Sequence, residues 1–366
     1  MRSAHACACR FCAKDVPSHA AQEAVVSFSV SLALLVMSLS TGLTAGVLLL
    51  LLGGSCIADD RDWEEANSLL VKASGLEAFK PEEQPKFHLR VKFVLHNTSQ
   101  GTVEGTYARD FVQTDHWSDE LTAGDFRQSR VRIDKQVWTS KNADFVPLPV
   151  DFLFNALFTT SFRMTNSDAV DKVHNRKLDD IDARCIEFRS VQGRSSTAGE
   201  LCVERDRGAV VYWKYGTREI WYSQYVPFAS AIRPTHLMVA ERGVTIVEGD
   251  VNYVEAPELT AGSFSPLENA EITDVCSTIR PVMPKHAPEP LYPPGFSRRQ
   301  FPGRVIVKAE VDENGRVIKA AVVETINRII DNMALMAVKS WQFQPRLCDG
   351  KPVSTTTRIE VHFRFK

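Results

Sequence analysis

The sequence predicts an α+β protein. It reads as an N-terminal membrane helix, an antiparallel β-rich middle region that suggests one large curved sheet, and a C-terminal unit of one helix packed on a three-stranded antiparallel sheet. Three observations predict this. A long uncharged run stands near the start. Period-two alternation of apolar and polar residues recurs through the middle. In the last quarter, strand alternation gives way to a helical stripe and then returns.

The uncharged run lies between Glu23 and Asp59 and is richest over Val30 to Leu52. A bilayer-spanning helix needs roughly 20 apolar residues, so this stretch reads as an anchor. Arg2, Arg10 and Lys14 precede it and Asp59, Asp60 and Asp62 follow, which puts the N-terminus inside and the rest outside. The expected topology is a single pass with the C-terminal part outside the cytoplasm. Leu51-Leu-Gly-Gly-Ser-Cys56 also reads as a loose lipobox, which makes Cys56 a lipidation candidate and a lipoprotein the alternative.

From residue 59 to 254 the chain reads as one β-rich domain. Asp62 to Phe79 opens it as a helix, with Trp63, Ala66, Leu69, Leu70, Ala73 and Leu76 on or near one face. Strand-like runs follow to Thr139. Phe145 to Phe158 is an apolar patch, read as a short helix begun by Pro147 or Pro149. Strands then resume to Val254, with Gly208, Gly216 and Gly243 marking turns. Residues 255–290 read as a linker: eight of the chain's 18 prolines fall between Glu255 and Pro294, which favours extended chain.

The C-terminal unit spans 291–366. Val305, Val307, Ala309 and Val311 alternate with Arg304, Ile306, Lys308 and Glu310, the pattern of a half-buried strand. Asp312-Glu-Asn-Gly315 is turn chemistry, with Gly315 free to take positive φ. Val317 to Val323 returns as the second strand. Asp331 is the expected helix N-cap, and Ala334, Leu335, Val338 and Trp341 form the apolar stripe. Thr355 to Lys366 is the last strand.

Eight cysteines are present. Cys7, Cys9 and Cys12 have no completing cluster nearby, so no metal is called. Cys185, Cys202, Cys276 and Cys348 are an even set in an oxidising compartment. Three pairings exist. Cys185 with Cys202 in neighbouring strands, and Cys276 with Cys348, is the economical choice; four buried thiols is the other reading.

The spacing of Tyr292-Pro293, Gly303-x-Val-x-Val-x-x-x-Val-Asp312-x-x-Gly315-x-Val, Asp331-x-x-Ala-x-x-Ala-Val-x-x-Trp-x-Phe-x-Pro345 and Asp349-Gly-Lys-Pro-Val353 resembles the TonB C-terminal domain. The resemblance implies a single-pass anchor in the cell inner membrane that couples to an ExbB/ExbD-like motor, and a periplasmic C-terminal module that contacts a TonB-dependent outer-membrane transporter or another envelope protein. In the fold it implies, the last strand has one free edge, where an extended peptide adds as a further strand. The partner-binding candidates are then Pro290, Tyr292, Pro293, Arg358, Glu360, His362 and Arg364. The middle region, with Gly105-Thr-Tyr107 and His116-Trp117, resembles the half-barrel of the LolA/LolB lipoprotein carriers. That implies a concave face able to hold an acyl chain or peptide, against the plainer reading that Phe152, Phe154, Leu157 and Phe158 fill a core.

Lys+Arg is 43 and Asp+Glu is 45, so no basic surface points to nucleic acid. No nucleophile elbow, P-loop, HExxH or dinucleotide fingerprint occurs, so neither an enzyme nor a cofactor is expected. Two readings stand: an energy transducer for outer-membrane transport, or a non-energised envelope binding protein that reuses the C-terminal domain for docking.

Overall fold

The computed structural model describes residues 57–79, 84–98, 101–158, 164, 168–192, 195–292, 304–325 and 327–364. The expected anchor over Val30 to Leu52, Cys56, the cysteines before it and Pro293 lie outside these residues.

Helix α1 (Ile57–Glu77) leads into a first meander: β1 (Phe87–Thr98), β2 (Gly101–Gln113), β3 (His116–Ala123), β4 (Phe126–Ile133) and β5 (Gln136–Lys141). Helix α2 (Leu148–Phe158) crosses to a second: β6 (Asp168–Leu178), β7 (Ile181–Gln192), β8 (Ser195–Glu204), β9 (Val210–Tyr215), β10 (Arg218–Phe228), β11 (Ala231–Glu241) and β12 (Val244–Glu255). The meanders join where β12 lies antiparallel to β1, from Phe87↔Glu255 to Leu95↔Val247. With β13 (Glu271–Asp274) added to β5, they form one 13-stranded sheet, ordered β13-β5-β4-β3-β2-β1-β12-β11-β10-β9-β8-β7-β6.

The apolar positions of these strands share one core with both helices. Ala66, Leu70 and Ala73 of α1, and Val150, Leu153 and Leu157 of α2, pack with Leu89, Val91, Tyr107, Leu121, Leu237 and Val251. Gly105 sits opposite Phe93, and a Cβ there would meet the Phe93 ring at 2.2 Å. The ring fills the space that the glycine leaves.

The remaining elements are β14 (Ile279–Arg280), β15 (Met283–His286), β16 (Val305–Val311), β17 (Val317–Glu324), α3 (Arg328–Ser340), β18 (Gln342–Gln344), β19 (Arg346–Cys348), β20 (Lys351–Val353) and β21 (Thr355–Val361). β16 is the centre of the sheet β17-β16-β21. Val305, Val307, Ala309 and Val311 pack against Ile330, Ala334, Val338 and Trp341 of the α3 side. The β16–β17 turn closes on Asp312, whose carboxylate accepts from the Asn314 and Arg316 N–H groups. Gly315 has φ +79°, and a Cβ there would meet the Phe343 carbonyl oxygen at 1.9 Å.

The structure corrects the α+β expectation. Strands make up 59% of it and helices 16%, so the protein is mostly β. The strands run to 13 residues and follow one another through short turns. Residues 255–290, read as a linker, themselves contribute β13, β14 and β15, which pair with β5, β19 and β18. The expectation of a membrane helix is also unsupported. Among the described residues no helix is long and apolar enough to cross a membrane. The first of them, α1, carries Asp59, Asp60, Arg61, Asp62, Glu64 and Glu65 and packs one side on the large sheet. A smaller correction concerns α3. Its N-cap is Asn327, whose side chain accepts from the Ile329 and Ile330 N–H groups, and Asp331 lies in the first turn. Asn is as good a cap as Asp, and capping four residues earlier lets Ile330 reach the core.

Candidate functional site

The site expected at the last strand can be built from register alone. β21 runs antiparallel to β16 with Val305↔Val361, Val307↔Ile359 and Ala309↔Thr357, so these odd residues face α3. The even residues face the other way: Lys308 lies opposite Arg358, and Ile306 opposite Glu360. β21 ends its sheet, and its second edge pairs with no other strand among the described residues. Past the strand's end the chain supplies its own neighbour. Tyr292 N–H donates to the Arg364 carbonyl at 2.9 Å, Arg364 N–H donates to the Pro290 carbonyl at 2.9 Å, and Leu291 and Arg364 bridge in parallel. The Tyr292 and Phe363 rings are 5.1 Å apart. Pro290, Tyr292 and Arg364 are thus brought together, and His362 is exposed beside them.

Arg358 and Glu360 are placed differently. Both lie on the face of the sheet turned to the large sheet, in a cluster of charges that sequence reading did not find. Arg304 reaches Glu360 at 3.2 Å and Glu241 at 3.5 Å, Arg358 reaches Glu360 at 3.0 Å, and Arg218 reaches Glu241 at 3.5 Å. Arg218 also stacks on Phe152 at 3.6 Å, and burial pulls its guanidinium down to about 10. At the centre Lys308, 5% exposed, donates to the Val146 carbonyl at 2.6 Å and ion-pairs with Asp151 of α2. Burial pushes the Asp151 carboxyl up and Lys308 opposes that shift. Toward β17, Lys319 meets Asp144 at 3.1 Å and Arg242 meets Glu324 at 3.5 Å. One signal was present in the sequence. Ile306 stands among the polar positions of β16, and it is fully buried in the large sheet's core.

Inside the large sheet, Phe152 and Leu157 are buried and Phe154 packs against the same core, while Phe158 is 40% exposed. Beside them a cavity of about 20 Å³ is lined by Glu77, Leu157, Tyr222, Arg233, Leu237 and Tyr253. That is room for a water molecule and far below the volume of an acyl chain. Asp119, 2% exposed, lies between Arg109 and Arg130 on the two adjacent strands and accepts from Tyr107 as well.

Cys185 and Cys202 face each other on β7 and β8 and are bonded. Cys276, between β13 and β14, is bonded to Cys348 of β19. The second bond ties a segment that starts on the large sheet to the C-terminal unit.

Residues 288–365 match the family described as Gram-negative bacterial TonB protein C-terminal. Among curated proteins, Protein TonB of Xanthomonas campestris pv. campestris (strain B100) is 32% identical over 80 residues, 22% of this chain and 36% of that protein. Protein TonB of Vibrio cholerae serotype O1 is 32% identical over 88 residues, 24% of this chain and 35% of that protein. The chain therefore spans about a third of the length of the curated relatives it matches. Residues 288–365 carry a TonB C-terminal domain. Among solved structures, a LolA superfamily protein from Nitrosomonas europaea is similar at TM-score 0.37 and 14% identity, over 55% of this chain and 97% of that one. A DUF1329 family protein from Desulfovibrio piger is similar at TM-score 0.37 and 11% identity, over 56% and 97%.

Proposed function

We propose that this TonB-like chain is a cell-envelope docking protein whose C-terminal domain takes an extended segment of an outer-membrane transporter as a strand added to β21. The observation that carries this reading is the bridge between Leu291 and Arg364: just past β21, the same stretch of backbone already holds an extended neighbour through N–H and C=O groups. The unpaired second edge of β21 offers the same kind of groups to a partner. The exposed polar residues Thr356 and His362 keep that edge soluble when it is empty.

The test is a titration of the whole chain with peptides from transporter N-termini, each made in two forms N-methylated at alternate residues. One form should bind and the other should lose about tenfold or more, because only one set of N–H groups faces β21. Equal binding by both forms would place the partner elsewhere.

A second reading has an observation of its own. The far face of the C-terminal sheet rests on the large sheet's core through Ile306 and on α2 through Lys308, so the domain is held against a folded body. That favours a scaffold that docks a partner without energy coupling. In-envelope crosslinking to ExbB/ExbD-like motor proteins separates the two: crosslinks support energy transduction, and their absence supports the scaffold.

A further inference from the structure

We infer that the Lys308–Asp151 contact is a latch that makes the C-terminal sheet and helix α2 one moving piece. This goes beyond the docking proposal and holds whether or not a strand adds to β21. Lys308 projects from the central strand, 5% exposed, and its acceptors are the Val146 carbonyl, two residues before α2, and the Asp151 carboxylate in its first turn. A buried ammonium stripped of its partner is strongly disfavoured, so the sheet cannot lift away unless α2 follows or water enters. The interface around the latch is less well satisfied. Arg218 Nε, Arg304 Nε and Glu241 Oε2 are buried and make no hydrogen bond among the described residues, and the ion pairs that join them are 3.5 Å long.

The other side of α2 reaches the core. Phe152 and Leu153 pack in the large sheet, and Tyr222 of β10 donates to the Ala156 carbonyl at 3.0 Å. Arg358 of β21 stands directly opposite Lys308. A path of contacts thus runs from the sheet edge through Lys308 and α2 to the interior of the large sheet.

The asymmetry of an ion pair whose lysine is buried and whose aspartate is half-buried supplies the test. Removing one partner strands the other charge, whereas replacing both by apolar or neutral groups restores a packed interface. Hydrogen exchange is followed on the whole chain for Asp151→Asn, Lys308→Met and the double variant. Asp151→Asn should speed exchange about a hundredfold in both 148–158 and 305–311, with β6 to β9 unchanged. Adding Lys308→Met should return both segments to within about threefold of the parent. Faster exchange in only one segment, an even rise across the chain, no rise, or no rescue each overturns the latch. Should Asp151→Asn fail to fold, Lys308→Met alone decides: faster exchange at 148–152 with β6 to β9 unchanged supports it, and unchanged exchange there rejects it.

Discussion

The Glu77 carboxylate, at the last residue of α1, accepts a hydrogen bond from the Val210 N–H of β9 at 3.3 Å, across 133 residues of sequence. Glu77 is 6% exposed. Burial pushes its carboxyl up to about 7, against the pull of the Val210 N–H and of Arg233. The end of α1 is therefore pinned by an acid that favours its protonated form.

This pinning sets a pH dependence. A folded-state value above the unfolded one means that the native protein holds the proton more tightly. The stabilisation is complete below about 4.5 and is lost as the pH rises to about 7. It amounts to about 3 kcal/mol at most, or several degrees in Tm. Thermal unfolding of Glu77→Gln should be flatter than the parent between these pH values, because Gln keeps the acceptor oxygen and does not titrate. Parallel curves for the two proteins would remove Glu77 as the cause.

The Cys276–Cys348 bond closes a separation of 72 residues and should stabilise the C-terminal unit by about 4 kcal/mol on the chain-entropy estimate. The Cys185–Cys202 bond, with a separation of 17, should contribute about 3 kcal/mol. Denaturant titration of Cys276→Ser and Cys185→Ser should rank them in that order. Peptide mapping without reductant should recover the same two pairs from protein taken from the envelope.

Gly315→Ala should destabilise by about 2 kcal/mol or more. The position needs φ +79°, and an added Cβ would collide with the Phe343 carbonyl, where the Phe343 N–H also bonds back to the Gly315 carbonyl at 2.9 Å. Gly350→Ala is the control: its φ is +81° but nothing lies within 4 Å of the added carbon, so it should cost only the backbone strain. Equal losses in equilibrium unfolding would mean that the collision is relieved.

Tyr292→Ala removes the ring beside Phe363 and should cost about 1 kcal/mol locally. Exchange at the Arg364 amide, which bonds to the Pro290 carbonyl, should quicken about fivefold while exchange in β16 stays as it was. An unchanged Arg364 amide would show that the bridge holds without the ring.

The C-terminal unit was largely legible because its signals are local. Alternation drew β16 and β17, the Asp312 to Gly315 turn chemistry joined them, and the 3.6-residue stripe placed α3. Other elements were not legible. β13, β14 and β15 are two to four residues long and all of their residues are exposed, so no periodic pattern marks them. They are strands because their partners, β5, β19 and β18, are brought beside them by the fold.

The sequence by itself determined which residues of β16 would face a helix, since alternation at period two is a property of the strand alone. It did not determine what the other face meets. Arg304, Ile306, Lys308 and Glu310 read as the wet side of a half-buried strand, yet Ile306 is fully buried and Lys308 nearly so. The covering layer comes from α2 and from the ends of β10 and β11, which lie far earlier in the chain. A lysine in solvent and a buried lysine paired with a half-buried aspartate are the same letter. Only the tertiary structure, by setting Asp151 against Lys308, decided which one this is.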